Sequence, residues 1–173
     1  MKLTVNKHKQ VLLDEFYLDI NNQVRRSKDG YLGRFSKDDL ATFFQDKNEG
    51  YWYIQIPKAR ATVRRSHLVM LLKGIHIPEG MHVDHIDGNT SNDHPDNLRV
   101  VSERVNHCNR KKRSDNTSGI TGIRWSDYHG HYVIRRTVNG KRLSRSRKTL
   151  EEAIIVLDEL TKMDSAYSER HGK

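Results

Sequence analysis

Cysteine is almost missing from this chain. Cys108 stands alone, which excludes an internal disulfide and any zinc knuckle built on cysteine pairs. Long apolar runs are missing too: nothing approaches the roughly eighteen consecutive apolar residues of a membrane-spanning helix, so no span is expected. The opening stretch MKLTVNKHKQVLL is basic, but it has no sustained apolar segment and no small-residue cleavage site, so no secretory signal is expected. Hydrophobic residues make up 35% of the 173, against 31% charged, which is too few for one large core. Two or three small units along a soluble, intracellular chain fit better.

Acidic residues are scarce in one place, and there the basic ones gather. Residues 110–148 hold twelve Lys and Arg against only Asp115 and Asp127, so the formal net charge of +9 comes from this one block. A local field of that kind attracts a polyanion, and nucleic acid is the commonest. The bland alternative is a solvated basic surface.

The first fifty residues show no chemistry, and Ser36 with Lys37, Asp38 and Asp39 predicts a capped short helix ending in TFFQ. From Tyr51 the pattern sharpens. YWYIQI predicts a strand ended by Pro57, ATVRR its partner, and Ser66 a cap for the helix HLVMLLKG, stopped by Gly74. MHVDHI predicts a strand broken at Asp87-Gly88, GNTSNDHPDN a polar loop, LRVV a second strand, and Ser102-Glu103 the start of a helix through about Arg110. After the linker SDNTSG, three short strands are expected, with Asn139-Gly140 as a hairpin turn. Thr149 would cap LEEAIIVLDELTKM, with Leu150, Ala153, Ile154, Leu157 and Leu160 on one face. The tail SAYSERHGK is expected to fray.

Residues 83–109 carry the chemistry. Cleaving a phosphodiester takes an activated water, charge neutralisation at phosphorus and stabilisation of the departing 3′ oxygen. A carboxylate with an amide oxygen can hold a hard cation such as Mg²⁺, and a histidine of ordinary basicity can accept a proton from water. Asp84, His85 and Asn106 supply those groups, and Asn97 would bond the imidazole or the local backbone and so fix the ring. Adjacent strand residues point to opposite faces, so Asp84 and His85 would act from different sides unless the strand ends or twists there. The bland reading of DHIDGN alone is an Asx-rich turn. His67, His82 and His94 read as structural or solvated, and His76, His129 and His131 show no metal-ligand spacing.

The run RRSHLVMLLKG, IPEGMHVDHIDGN, DNLRVV, SERVNHCNRKKR, over about residues 51–113, resembles the HNH endonucleases of phages and group I introns. That resemblance implies a ββα-metal fold, with Asp84 and Asn106 as metal ligands, His85 as general base and Asn97 orienting it. The last position of the motif is often His; here the spacing favours Asn106, and His107 beside it stays open as the ligand. The cofactor implied is a divalent metal, Mg²⁺ first and Mn²⁺ second, with no structural zinc.

NTSGITGIRW, HYVIRRTVNGKR and TLEEAIIVLDEL, within residues 114–162, resemble the APETALA-type DNA-binding domain appended to such nucleases. Carried over, the resemblance puts Arg124, Trp125, Tyr132 and Arg136 on DNA, while Trp125 in the core is the competing assignment. Lys111, Lys112 and Arg113 would track phosphates between the modules. The expectation is thus an α+β chain: residues 1–50 of unknown role, a nuclease module at 51–113, a three-stranded antiparallel sheet with one packed helix at 114–162, and a tail at 163–173. It would be a homing-type or phage endonuclease acting on double-stranded DNA in a bacterial cytoplasm, bound to the nucleoid DNA and to no membrane. A monomer would nick one strand, a homodimer cut both. The alternatives are a non-catalytic DNA-binding regulator with a decayed nuclease module and, further off, an RNA-binding accessory protein.

Overall fold

The computed structural model describes residues 4–108, 116 and 118–167. The chain is mixed α+β, with small antiparallel sheets and short helices, and it divides into two compact units, Met1–Glu103 and Arg104–Lys173. Among the described residues no helix is long and apolar enough to cross a membrane.

The first unit opens with helices α1 (Thr4–Lys7) and α2 (Lys9–Glu15), then the hairpin β1 (Phe16–Leu18) and β2 (Val24–Arg26). Leu12 and Phe16 are buried in the same core as Ile54 and Leu68. The N-terminal fifty residues, silent in the sequence, are therefore part of the packing that supports the motif. The helix expected after Ser36 does not form. Asp38 sits at φ +69°, Asp39 accepts from the Ser36 N–H at 2.7 Å, and the chain turns into the short strand β3 (Phe44–Gln45).

Strands β4 (Trp52–Ile56) and β5 (Ala61–Arg64) complete a three-stranded antiparallel sheet with β3. Helix α3 (Arg65–Leu72) follows at once. Its N-cap is Arg64, with no side-chain cap bond, and Ser66 lies buried within the first turn rather than capping it. Gly74, at φ +76°, ends the helix as its position predicts. Leu68, Val69, Met70 and Leu71 are all buried, so α3 is a core helix from which Arg65 projects at the first turn.

The motif forms the antiparallel pair β6 (Met81–His85) and β7 (Leu98–Ser102), with Asp84 opposite Arg99 and His85 opposite Leu98. Helix α4 (Glu103–Cys108) follows β7 directly. Strand, loop, strand and helix thus occur in the predicted order, with the helix described only to Cys108.

The second unit is a sheet in the order β10-β9-β8, from β8 (Ile123–Ser126), β9 (His131–Val138) and β10 (Lys141–Arg147), with α5 (Leu150–Lys162) packed on it. Asn139 and Gly140 both take positive φ, the left-handed pair that a tight hairpin turn requires. The Thr149 hydroxyl accepts from the Glu152 N–H at 3.3 Å and caps α5. Ala153, Val156, Leu157 and Leu160 face the sheet with Leu150 packed beside them, so the predicted stripe holds except at Ile154, which is 41% exposed while Val156 is buried. The start of the tail is pinned rather than frayed: Ala166 is buried, Asp164 binds Arg104 and the Asn139 N–H, and the Tyr167 hydroxyl donates to the Thr137 carbonyl.

Candidate active site

The hairpin presents Asp84 and His85 as the last two residues of β6, where strand alternation sends them to opposite faces. Both are buried, at 9% and 3% exposure. Across the ladder Arg99 donates from Nε and Nη2 to the same Asp84 oxygen, Oδ2, at 3.0 and 2.8 Å. The antiparallel register aligns them, and the planar guanidinium fixes the carboxylate's direction.

On the other face, His85 Nε2 lies 2.8 Å from Asp93 Oδ1, and Asp93 is itself 6% exposed. Arg65 completes the arrangement. Its Nε donates to Asp93 Oδ2 at 2.8 Å and its Nη2 to the Ser91 carbonyl at 2.9 Å, while its guanidinium lies 5.4 Å from the ring centres of Phe43 and Trp52. A buried carboxylate between a cation and an imidazole is the usual device for holding a histidine in one orientation. The Tyr51 ring stands 6.0 Å from the His85 ring. His67, on α3, is a different case: burial, helped by the Arg64 charge, pushes its pKa down to about 4, so it carries no charge at neutral pH.

Asn97 takes the backbone option of the two expected for it. Its amide oxygen accepts from the Asp87 N–H at 3.0 Å, and its Nδ2 donates to Asp87 Oδ1 at 2.9 Å and to the Asn92 carbonyl at 2.8 Å. Asp87 also accepts from the Asn89 N–H and from Asn92. Partial desolvation pulls the other way, yet these bonds, from Asn92, Asn89 and Asn97, hold the Asp87 carboxyl below its usual pKa. Asn97 thus closes the loop that carries Asp93, and reaches His85 only through it.

Asn106 lies half-buried on α4 and His107 is exposed there; both belong to the second unit, joined to the hairpin through Ser102. Among the described residues no three His, Cys, Asp or Glu side chains are grouped to hold a metal. A carboxylate such as that of Asp84 is a hard oxygen donor of the kind that suits Mg²⁺.

In the second unit, strand parity sorts the expected DNA-binding positions. Ile123, Ile134 and Val138 point toward α5, and Trp125, Tyr132 and Arg136 share their side of the sheet. Trp125 and Tyr132 meet edge to face at 4.8 Å. Arg136, expected on DNA, is 7% exposed with its guanidinium 4.6 Å from the Tyr167 ring centre, and burial pushes its pKa down. That expectation is corrected: an even count along β9 from Ile134 places Arg136 on the packed side. The open side carries Arg124, Arg135 and Arg142, one from each strand, and all three are exposed. Lys111, Lys112 and Arg113 lie outside the described residues.

Residues 64–108 match the HNH endonuclease family. The match runs from the last residue of β5 to the last residue of α4, so it takes in α3, the hairpin and the loop between its strands. Protein 3.8 of Escherichia phage T7 is similar at 43% identity over 76 residues, which is 43% of this chain. The matched segment spans 63% of that relative's length. No solved structure matches the chain.

The HNH match covers Asp84, His85, Asn97 and Asn106, and also Arg65, Asp93 and Arg99, none of which was singled out in the sequence. Asp93 was hidden among turn formers, where an Asp signals nothing unusual. Arg99 was recoverable, because pairing MHVDH antiparallel with LRVVS sets it opposite Asp84. Arg65 had no sequence signal at all, since its partner is 28 residues away.

Proposed function

We propose that this chain is a metal-dependent HNH endonuclease that hydrolyses phosphodiester bonds in duplex DNA and nicks one strand as a monomer. The observation that carries this reading is His85 held by a buried carboxylate, directly beside a second carboxylate oriented by Arg99, within the segment that matches the HNH endonucleases. His85 takes the proton from the attacking water. Asp84 and Asn106 would hold a divalent cation, Mg²⁺ or Mn²⁺, which when bound neutralises charge at the phosphate and at the leaving 3′ oxygen. Asn97 keeps the loop closed so that the imidazole stays in register.

The nuclease module is taken as residues 51–113, resting on the N-terminal elements, and the ββα-metal arrangement as β6, β7 and α4. Residues 114–162 serve as an APETALA-type DNA-binding module. Its contact surface is the side of the sheet facing away from α5, where Arg124 stands with Arg135 and Arg142. Lys111, Lys112 and Arg113 add phosphate contacts. A homing-type role in a phage, in the cytoplasm of its bacterial host, fits a DNA-cutting chain similar to a phage protein.

A supercoiled-plasmid assay tests this. Wild-type protein with Mg²⁺ is expected to produce open circles and EDTA to stop it, whereas His85→Ala is expected to abolish nicking with DNA affinity nearly intact. Tight binding with no cleavage under any divalent metal would leave the regulator; an active His85→Ala would remove His85 as the base.

A further inference from the structure

The open face of the sheet β3-β4-β5 carries aromatic surface that the nuclease reading does not use. Ile54, Ile56 and Val63 turn into the core, so strand alternation sends Tyr53 and Arg64 to the other side. Phe44 stands opposite Tyr53 in the ladder and shares that side; it is 46% exposed, and its ring stacks on Tyr53 at 5.9 Å. The Arg64 guanidinium lies 4.1 Å from the Tyr51 ring centre and 5.7 Å from that of Tyr53. Tyr51 in turn stands 6.0 Å from the His85 ring. Rings and guanidinium thus form a continuous row from the edge of the sheet toward the hairpin that carries Asp84 and His85.

The row is tied to the motif loop. Gln45 Nε2 donates to the Ser91 hydroxyl and to the Gly50 carbonyl, each at 3.0 Å. Gly50 has φ +74°, and a Cβ there would come within 2.9 Å of the Thr90 hydroxyl oxygen, so the turn after β3 presses on the loop that carries Asp93. Arg64 is held as well: its Nε donates to the Tyr53 hydroxyl at 3.0 Å and its Nη2 to Glu49 at 2.9 Å. Glu49 offsets the Arg64 charge, so this face would attract a ligand through its rings more than through net charge. Pre-positioned rings on the open face of a sheet are a surface on which unpaired nucleobases stack, since every base has a π face. A base inside a duplex has its faces covered by its neighbours and cannot use such a ring.

We infer that Phe44, backed by Tyr53, is a stacking platform for an unpaired nucleobase of the cleaved strand, and that the row through Arg64 and Tyr51 guides that strand toward the hairpin. The substrate class is then DNA with a displaced or unpaired stretch beside the scissile phosphate. DNA as the partner rests on the nuclease reading, but stacking can be observed without any turnover.

The test uses the full chain in EDTA with two labelled duplexes of equal length, one fully paired and one with a short unpaired stretch containing a fluorescent purine analogue. Anisotropy should show tighter binding to the second, by about 5- to 150-fold for one stacked base, and the analogue's fluorescence should be quenched. Phe44→Leu keeps the apolar bulk and removes the ring, so it should abolish both the preference and the quenching while paired-duplex affinity stays. Salt should weaken the two affinities in parallel, because stacking itself neutralises no phosphate. A Phe44→Leu protein with wild-type preference and quenching overturns the proposal, because a mere apolar cover for the sheet tolerates leucine. A wild type without the preference overturns it too, as does a Phe44→Leu protein changed only in its sedimentation, which would make this face a contact between copies. If Phe44→Leu does not fold, Tyr53→Leu, which removes the ring behind Phe44, must show the same loss, and a retained preference there overturns the proposal. A wild type that shows the Phe44-dependent preference yet nicks neither duplex in Mg²⁺ supports the platform and overturns the nuclease reading.

Discussion

Replacing Arg124, Arg135 and Arg142 together by alanine separates the proposed DNA-binding surface from the fold. Each side chain is exposed, so the second unit should keep its stability to within about 0.5 kcal/mol per site. The strand register sets them in a diagonal row. Arg124 lies opposite Val133, Arg135 is two residues on, and Arg142 lies opposite Thr137, two residues further. Each step crosses one strand and two residues, which is roughly 8 Å. If each guanidinium neutralises one phosphate, the three account for about 2.7 of the slope of log affinity against log salt. Between about 50 and 200 mM salt, that share amounts to an affinity change of about 40-fold. Fluorescence anisotropy with a labelled duplex over this salt range reads the slope directly. The triple variant should lose about 2.7 from it, whereas Arg136→Ala should lower the melting temperature and leave the slope alone. A triple variant with the wild-type slope would refute the assignment and move the interface to another surface.

Two further outcomes follow from the packing. His67 has a folded pKa of about 4, below its ordinary 6.5, so the unfolded chain binds the extra proton first and stability falls as pH drops through that window. The loss approaches about 3 kcal/mol once both values are passed, and His67→Phe should flatten denaturant-midpoint curves between those pH values; an unchanged slope would refute the burial argument. Ile134 is 0% exposed at the centre of the second core. Ile134→Ala should therefore cost about 2–5 kcal/mol in thermal unfolding, and a variant melting like the wild type would mean that β9 is not packed as described.

The elements with strong local signals were legible without any structure. Asn139-Gly140, Thr149 before a 3.6-residue stripe, and the aromatic and β-branched run at Trp52–Ile56 each specify their conformation through neighbours a few residues away. The errors came where local preference lost to packing. Ser66 looks like a cap, but the helix starts one residue earlier, in line with β5. Ser36 with two aspartates looks like a helix start, but its partners form a turn that feeds an edge strand. Arg136 looks like a DNA contact because its charge is visible in the sequence and the side of the sheet it occupies is not.

The sequence by itself determined the motif's residue types and their order. Asp84, His85, Asn97 and Asn106 are spaced along a strand, a loop, a strand and a helix, and a basic block follows them. It did so because the residue types and the periodicity of short elements are local properties. Only the tertiary structure decided that Asp93 and Arg65 hold the imidazole, that Arg99 holds the carboxylate, and that Arg135 and Arg142, not Arg136, share the open side with Arg124. Those pairings depend on strand register and on contacts between residues far apart in the chain. A hydrogen bond between positions 65 and 93 exists only once a core formed partly by the first fifty residues has brought α3 beside the loop.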